Sequence, residues 1–279
     1  MSPTARLAGA PSTSRPGGEE ATGHPDGVQA TALIRAAYNG RVTTLPQLRS
    51  DGPFHLRHMR GSGRFATVGI IGAMSAPLGG DRLTIDITAE DRAELKVTTG
   101  AATLALRGPT TEPATYDVKI TAGEGARVHW LPHPLISAAG SNLRQTCTIE
   151  LASTARLVLR EEQLLGRADE EPGHLVTRLR VRRGGRLILD QQSAYGPPEP
   201  AWNGPAVLGD HRAVGQLLMV APEPSAVRAP VLLGEEPRGA RGILTPLADG
   251  HALLATVAAP GSAALRQLLD EAFALASRG

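Results

Sequence analysis

Two groups of side chains in this sequence could do chemistry. The stretch "ARVHWLPHPLI" (126–136) sets His129 and His133 around Trp130 and two prolines, and "LVLREEQLLGR" (157–167) ends an aliphatic run in the pair Glu161–Glu162. Histidines four apart on a helix share one face and suit a metal ion. Pro132 and Pro134 forbid a regular helix across His133. The segment reads instead as a strand, with His129 and Leu131 on one face and Val128 and Trp130 on the other. His133 then caps an extended turn. His55 and His58 in "PFHLRHM" would point to opposite faces of a strand, and no paired cysteines lie nearby, so a structural zinc site is not expected. No G-x-S-x-G, H-E-x-x-H or P-loop pattern occurs, and "RGSGRF" (60–65) reads as a flexible loop rather than a phosphate cradle.

The glutamates are more informative. Alternation sends one carboxylate to each strand face, so one must share the side of Leu157 and Leu159. A buried carboxylate is costly unless paired or bound to a cation. Arg167, just beyond Gly166, is a candidate partner. Two readings stand: a strand-end ion pair, or a carboxylate lining a polar channel.

The elements that position these groups are extended. "LTIDIT" (83–88), "YDVKIT" (116–121), "LVTRLRV" (175–181) and "RLILD" (186–190) alternate apolar and polar residues, with turn chemistry between them. Further strands are expected at 213–220 and 253–259. "DRAELKV", "EGARVHWL", "STARLVLR" and "GGRLILD" share a rhythm of turn, small or basic residue, then aliphatics, recurring at ~30 residues, which suggests stacked hairpins or a winding sheet. The segment 261–278 has Leu265, Leu268, Leu269, Phe273 and Leu275 at helical spacing, and Ser262 can act as N-cap. The expected fold is all-β: helically wound, stacked antiparallel strands in one large domain, 28–279, with a few helices including a C-terminal one. Residues 1–27, rich in Pro, Gly, Ser and Ala, read as a disordered tail without a secretory signal.

Composition narrows the class. The 279 residues are 41% hydrophobic and only 3% aromatic, so aliphatic residues must fill the core. The net charge is +2 with scattered arginines, and Arg182 and Arg183 are solvated turn charges, so nucleic acid is not an expected partner. No apolar run is long enough to span a membrane. The single cysteine, Cys147, reads as a small buried hydrophobe and favours a reducing compartment, hence the cytoplasm.

Several segments, in order, resemble the UreD family of urease accessory proteins, called UreH in some organisms. They are "PLGGDRLTIDITAEDRAELKVTTGAAT" (77–103), "GARVHWLPHPLI" (125–136) and "RQTCTIELASTARLVLREEQLLGR" (144–167), where Glu161, Gly166 and Arg167 fall on the family's Glu-x-x-x-x-Gly-Arg pattern, followed by the C-terminal helix. The likeness covers 28–278. Leu104 and Ala105 stand where the family commonly has Lys and an aromatic, His133 where it usually has Gln, and "SAAGSN" replaces an aromatic-containing stretch. The resemblance implies a wound all-β fold and a role without catalysis: binding apo-urease and, with UreF and the GTPase UreG, assisting nickel insertion through an internal polar tunnel. It implies no tightly bound cofactor, only transient nickel. Asp81, Glu161 and Arg167 are the candidate path residues, with Thr98 and Thr99 lining it. Two rival readings are a metal-dependent hydrolase using His129, His133 and Asp81 as ligands, and a β-sandwich ligand-binding module.

Overall fold

Alternating runs become strands throughout the computed structural model, which describes residues 27–60, 63–234 and 239–277. In chain order these are β1 (Gln29–Tyr38), β2 (Thr43–Arg49), β3 (Phe54–Met59), β4 (Ala66–Gly72), β5 (Arg82–Ala89), β6 (Glu94–Thr99), β7 (Thr103–Ala105), β8 (Ala114–Ala122) and β9 (Arg127–Trp130), then β10 (Leu135–Ser137), β11 (Asn142–Leu151), β12 (Arg156–Leu165), β13 (His174–Arg183), β14 (Arg186–Tyr195), β15 (Ala213–Val220), β16 (Val231–Leu233), β17 (Arg241–Leu247) and β18 (Ala252–Ala259). A single-turn 3-10 helix, Ala248–Gly250, and one α-helix, α1 (Ser262–Ala276), complete the described elements. Of the expected tail, all but Gly27 lies outside the described residues, as does the centre of the 60–65 loop.

The strands form two facing sheets. One runs β14-β13-β11-β8-β5-β1-β2; the other runs β16-β17-β18-β15-β12-β9-β6-β4-β3, with β10 and β7 attached beside β12. The chain climbs between them as a coil: β5 turns into β6, β8 into β9, β11 into β12. The all-β, wound single domain agrees with the sequence reading. The pairing within the coils does not: β1, β5, β8, β11 and β13 are mutually parallel, and so are β4, β6, β9 and β12. Antiparallel pairs are confined to the ends of the two sheets. The reason is geometric. A coil that completes a full circuit re-enters each sheet in the same direction, whereas a hairpin reverses.

Each turn of the coil repeats one device. Ala93, Ala126 and Ala155 are fully buried at the corner, and each donates its N–H to the carbonyl three residues earlier. Between the sheets, Leu95, Val128 and Leu157 align in one row, and Val97, Trp130 and Leu159 in the next. Leu83, Ile85 and Ile87 of β5 and Val118 and Ile120 of β8 face them, all buried as expected. Cys147 belongs to this core.

The other side of β15 and β18 carries a second core beneath α1, formed with Leu265, Leu268, Leu269 and Ala272. Gly215 permits this approach, since a Cβ there would stand 3.0 Å from both Leu265 and Leu269. Glu162 ties the same face down, accepting from Arg160 Nε at 2.7 Å and Arg266 Nε at 3.2 Å. Two details correct the helix reading. Gly261, not Ser262, occupies the cap position, without a side-chain bond. Phe273 is 43% exposed, because Ala272 takes the inward position beside it. Among the described residues no helix is long and apolar enough to cross a membrane.

Leu269→Ala should therefore lower stability by about 2–5 kcal/mol, while Phe273→Ala costs under about 0.5 kcal/mol; chemical denaturation of the two variants reads the difference directly.

Candidate functional site

The register of the coils carries one row that is not apolar. Two residues beyond the Val97–Trp130–Leu159 row come Thr99 on β6 and Glu161 on β12, and Glu161 pairs with Gln216 of β15, which pairs with Thr256 of β18. The facing sheet answers with Tyr116, Gln145, Thr177 and Ser193, aligned across β8, β11, β13 and β14. A polar layer thus crosses the interior from one side to the other.

Glu161 is its centre and is 4% exposed. Its Oε2 accepts a hydrogen bond of 2.9 Å from Gln216 Nε2, and Gln216 in turn accepts from Gln191 Nε2, linking the two sheets. Oε1 of Glu161, Oε1 of Gln145 and the indole Nε1 of Trp130 are buried without a partner among the described residues. The indole N–H of Trp130 favours the Glu161 carboxylate without making a hydrogen bond to it. Burial pushes the Glu161 carboxyl above the ordinary carboxylate range, against the opposing pull of Gln216 and Trp130. Burial likewise raises the Tyr116 hydroxyl and the Cys147 thiol, and the Glu161 charge adds to both. Buried polar atoms without protein partners are normally satisfied by water or a cation.

Open clefts reach this layer from opposite sides. A cleft of about 430 Å³ is lined by Gln216, Gln163, Gln191, Thr177 and Ser193. It exists because the longer sheet, through β18 and β17, extends past β14, the edge of the shorter one. Another, of about 490 Å³, is lined by Thr99, Thr103 and Tyr116. By strand order, Glu161 and Gln145 lie between the two clefts, since their row-neighbours Gln216 and Thr177 line one and Thr99 and Tyr116 line the other.

The other expected residues are placed differently. Thr98 sits on the opposite face of β6 from Thr99 by simple alternation; its hydroxyl donates to the Leu131 carbonyl at 2.8 Å. Thr99 donates to the Ala101 carbonyl and accepts from the His133 N–H, so it closes the turn through which His133 passes. Asp81 is buried, and its two oxygens accept from the backbone N–H groups of Val28 and Leu78, both at 2.8 Å; it holds the entrance turn of β5. Arg167 does not reach Glu161. Gly166 turns the chain in a left-handed conformation at the end of β12, and Arg167 pairs at the surface with Glu170, Nη2 to Oε1 2.6 Å. That pair holds the Glu170 carboxyl down at about 2.

The hydrolase reading loses its ligand set. His129 lies on the outward face of β9, packed on Phe65 with ring centroids 4.4 Å apart, while His133 is exposed in the turn and Asp81 is engaged at β5. Among the described residues no three His, Cys, Asp or Glu side chains gather as a metal site. Sequence inspection passed over the glutamines. Gln145, Gln163 and Gln216 each occupy an inward position in a strand of aliphatic residues, the same signal that singled out Glu161.

The profile of a family described as "UreD urease accessory protein" matches residues 29–279. The chain is 56% identical over 268 residues to urease accessory protein UreD 2 of Saccharopolyspora erythraea, covering 96% of this chain and 94% of the relative. It is 51% identical over 249 residues to urease accessory protein UreD 3 of Streptomyces griseus, covering 88% and 95%. A Parafrankia urease accessory protein UreD is 35% identical over 265 residues, with 87% and 86% covered.

Because the folded state holds the Glu161 proton more tightly than the unfolded chain, wild-type stability should fall as pH rises from the ordinary carboxylate range to the raised folded value. Glu161→Gln should remove that slope and, above the raised value, stabilise the protein by about 1–3 kcal/mol; thermal melts across a pH series check both.

Proposed function

The chain belongs to the UreD family of urease accessory proteins, and from that premise we propose that it is a non-catalytic scaffold that passes nickel through its polar layer toward apo-urease. In this reading it acts in a complex with apo-urease and with UreF and UreG. Membership of the family gives it a role in urease maturation; the route through the interior is inferred from the row Thr99–Glu161–Gln216 lying between two clefts.

The donor set suits passage better than storage. A cluster of His and Cys would hold Ni²⁺ strongly. The layer offers one carboxylate, amide oxygens and hydroxyls, all hard and only one of them charged. Glu161 supplies the attraction once it gives up its proton, as carboxylate ligands must. Gln216 and Gln191, bonded to each other across the sheets, stand between Glu161 and the open cleft and orient the carboxylate. Tyr116 and Thr99 border the other approach. Asp81 contributes by fixing the start of β5, which sets the register of the coil.

The test loads apo-urease with nickel in the presence of UreF and UreG and counts nickel per urease active site. Glu161→Ala should cut nickel loading several-fold while the complex is still recovered in a pull-down, and Thr98→Val, on the other face of β6, should leave loading unchanged. Unaltered loading by Glu161→Ala, or complex formation lost together with loading, would remove the conduit from the reading.

A further inference from the structure

The corner of the coils opposite the polar layer holds a different surface. Here β6 and β9 begin, the β1–β2 turn passes over them, and β3 ends the longer sheet as an edge strand. The corner opens into a cleft of about 880 Å³ lined by Arg41, Arg60, Arg64, Arg92 and Arg127. Among the described residues lining it, Glu94 is the one acid, within 2.7 Å of Arg64 Nε and 3.7 Å of Arg127 Nε. One carboxylate cannot balance five guanidinium groups held around a common space.

Arg92 shows that this charge is placed at a conformational cost. The turn 90–93 is stacked on the turn 123–126, the Arg92 N–H donating to the Glu124 carbonyl. Both turns put their third residue in the left-handed region: Arg92 at φ 61° and Gly125 at φ 68°. Glycine adopts that conformation freely; an L-residue with a long side chain is held there against steric strain. The arginine is kept in position by its guanidinium, which lies 5.1 Å from the Tyr38 ring centroid, while the Tyr38 hydroxyl is fixed on the Gly40 carbonyl.

We propose that this cleft is a docking site for an acidic, extended segment of a protein partner, its carboxylates met by Arg41, Arg92 and Arg127. Planar guanidinium groups recognise carboxylates in bidentate fashion. Their spread across an open cleft fits several spaced charges better than one compact anion. The β3 edge is partly taken, Phe54 by the Asp51 backbone and the Leu56 N–H by the Ser50 hydroxyl, so recognition rests on the guanidinium groups rather than on strand addition. A nucleotide is disfavoured by the same surroundings. Tyr38 already carries Arg92 and Phe65 already carries His129, and the one described α-helix comes near Phe65 and Arg127 through its last residue, Ala276, so among the described residues no free aromatic platform or helix N-terminus is offered to a base or phosphate. The site is independent of the nickel route, which crosses the opposite end of β6.

The test uses the full chain and a labelled oligoglutamate peptide, with oligoglutamine as neutral control and with GTP and inorganic pyrophosphate as competitors. Oligoglutamate should bind and weaken with salt, and oligoglutamine should not bind. Arg92→Gly removes the charge while placing glycine where the backbone favours it, so melting should not fall. Combined with Arg127→Gln it should weaken peptide binding by about tenfold or more. Arg178→Gln with Arg180→Gln, on the outer face of the other sheet, should leave binding unchanged. Absence of oligoglutamate binding, binding undiminished in the cleft variant, equal loss in the Arg178/Arg180 variant, or binding of GTP or pyrophosphate in preference to the peptide would each overturn the proposal.

Discussion

A parallel coil has no freedom of register. Each strand in the middle of a sheet is fixed by the strand before it and fixes the one after, and a slip by one residue would turn every inward side chain outward. The corners enforce this. Ala93, Ala126 and Ala155 are enclosed completely, and a larger residue at any of them would push one coil off the next. From that constraint follow the aliphatic rows Leu95–Val128–Leu157 and Val97–Trp130–Leu159. From it follows also the placement of Glu161: with Leu157 and Leu159 inside, the residue two further on has nowhere else to point.

That placement is the energetic anomaly of the molecule. Among the described residues the Glu161 carboxylate receives one hydrogen bond, from Gln216, and one of its oxygens has no partner. Its neighbour Glu162, equally buried, is matched by Arg160 and Arg266 and serves the packing of α1. Two adjacent glutamates therefore have opposite physical standing. Glu162 is neutralised by cations of its own chain. Among the described residues Glu161 faces none, and desolvation favours its protonated form. A fold that needed only stability would do better with leucine there; in the proposed reading the acid answers a cation supplied from outside.

Much of this was legible in the sequence because alternation carries its own geometry. The inward sets of β5, β8 and β13, the strand character of Arg127–Trp130, the burial of Cys147 and the interior direction of Glu161 all follow from period two and two prolines. The direction of pairing was not legible, since parallel coils and stacked hairpins bury the same faces; only the long-range return of the chain separates them. The partnership of Arg167 with Glu170 escaped for a local reason: the left-handed turn at Gly166 reverses the chain before Arg167 can reach back. The exposure of Phe273 was hidden by Ala272, a residue whose small size disguises an inward position. Gln145 and Gln216 were overlooked because a single glutamine in an aliphatic strand becomes meaningful only when its row is assembled from four other strands.

The composition of that row bears on how a protein can guide a metal ion without keeping it. Affinity for a divalent cation rises with the number of charged ligands and with their rigidity. Here one ionisable carboxylate shares the layer with amides: Gln145 on the other sheet, Gln163 two residues on along β12, Gln216 bonded to it and Gln191 bonded to Gln216. Amide oxygens replace part of a hydration shell without adding charge, so an ion entering the layer loses little solvation and gains little binding. The carboxyl adds a condition of its own, because the same burial that makes it attractive to a cation makes it hold its proton. In the proposed reading, an ion and a proton therefore compete for the same carboxyl. The apolar rows on the corner side leave the layer as the polar way across the interior, and the overhang of the longer sheet past β14 leaves one of its mouths open.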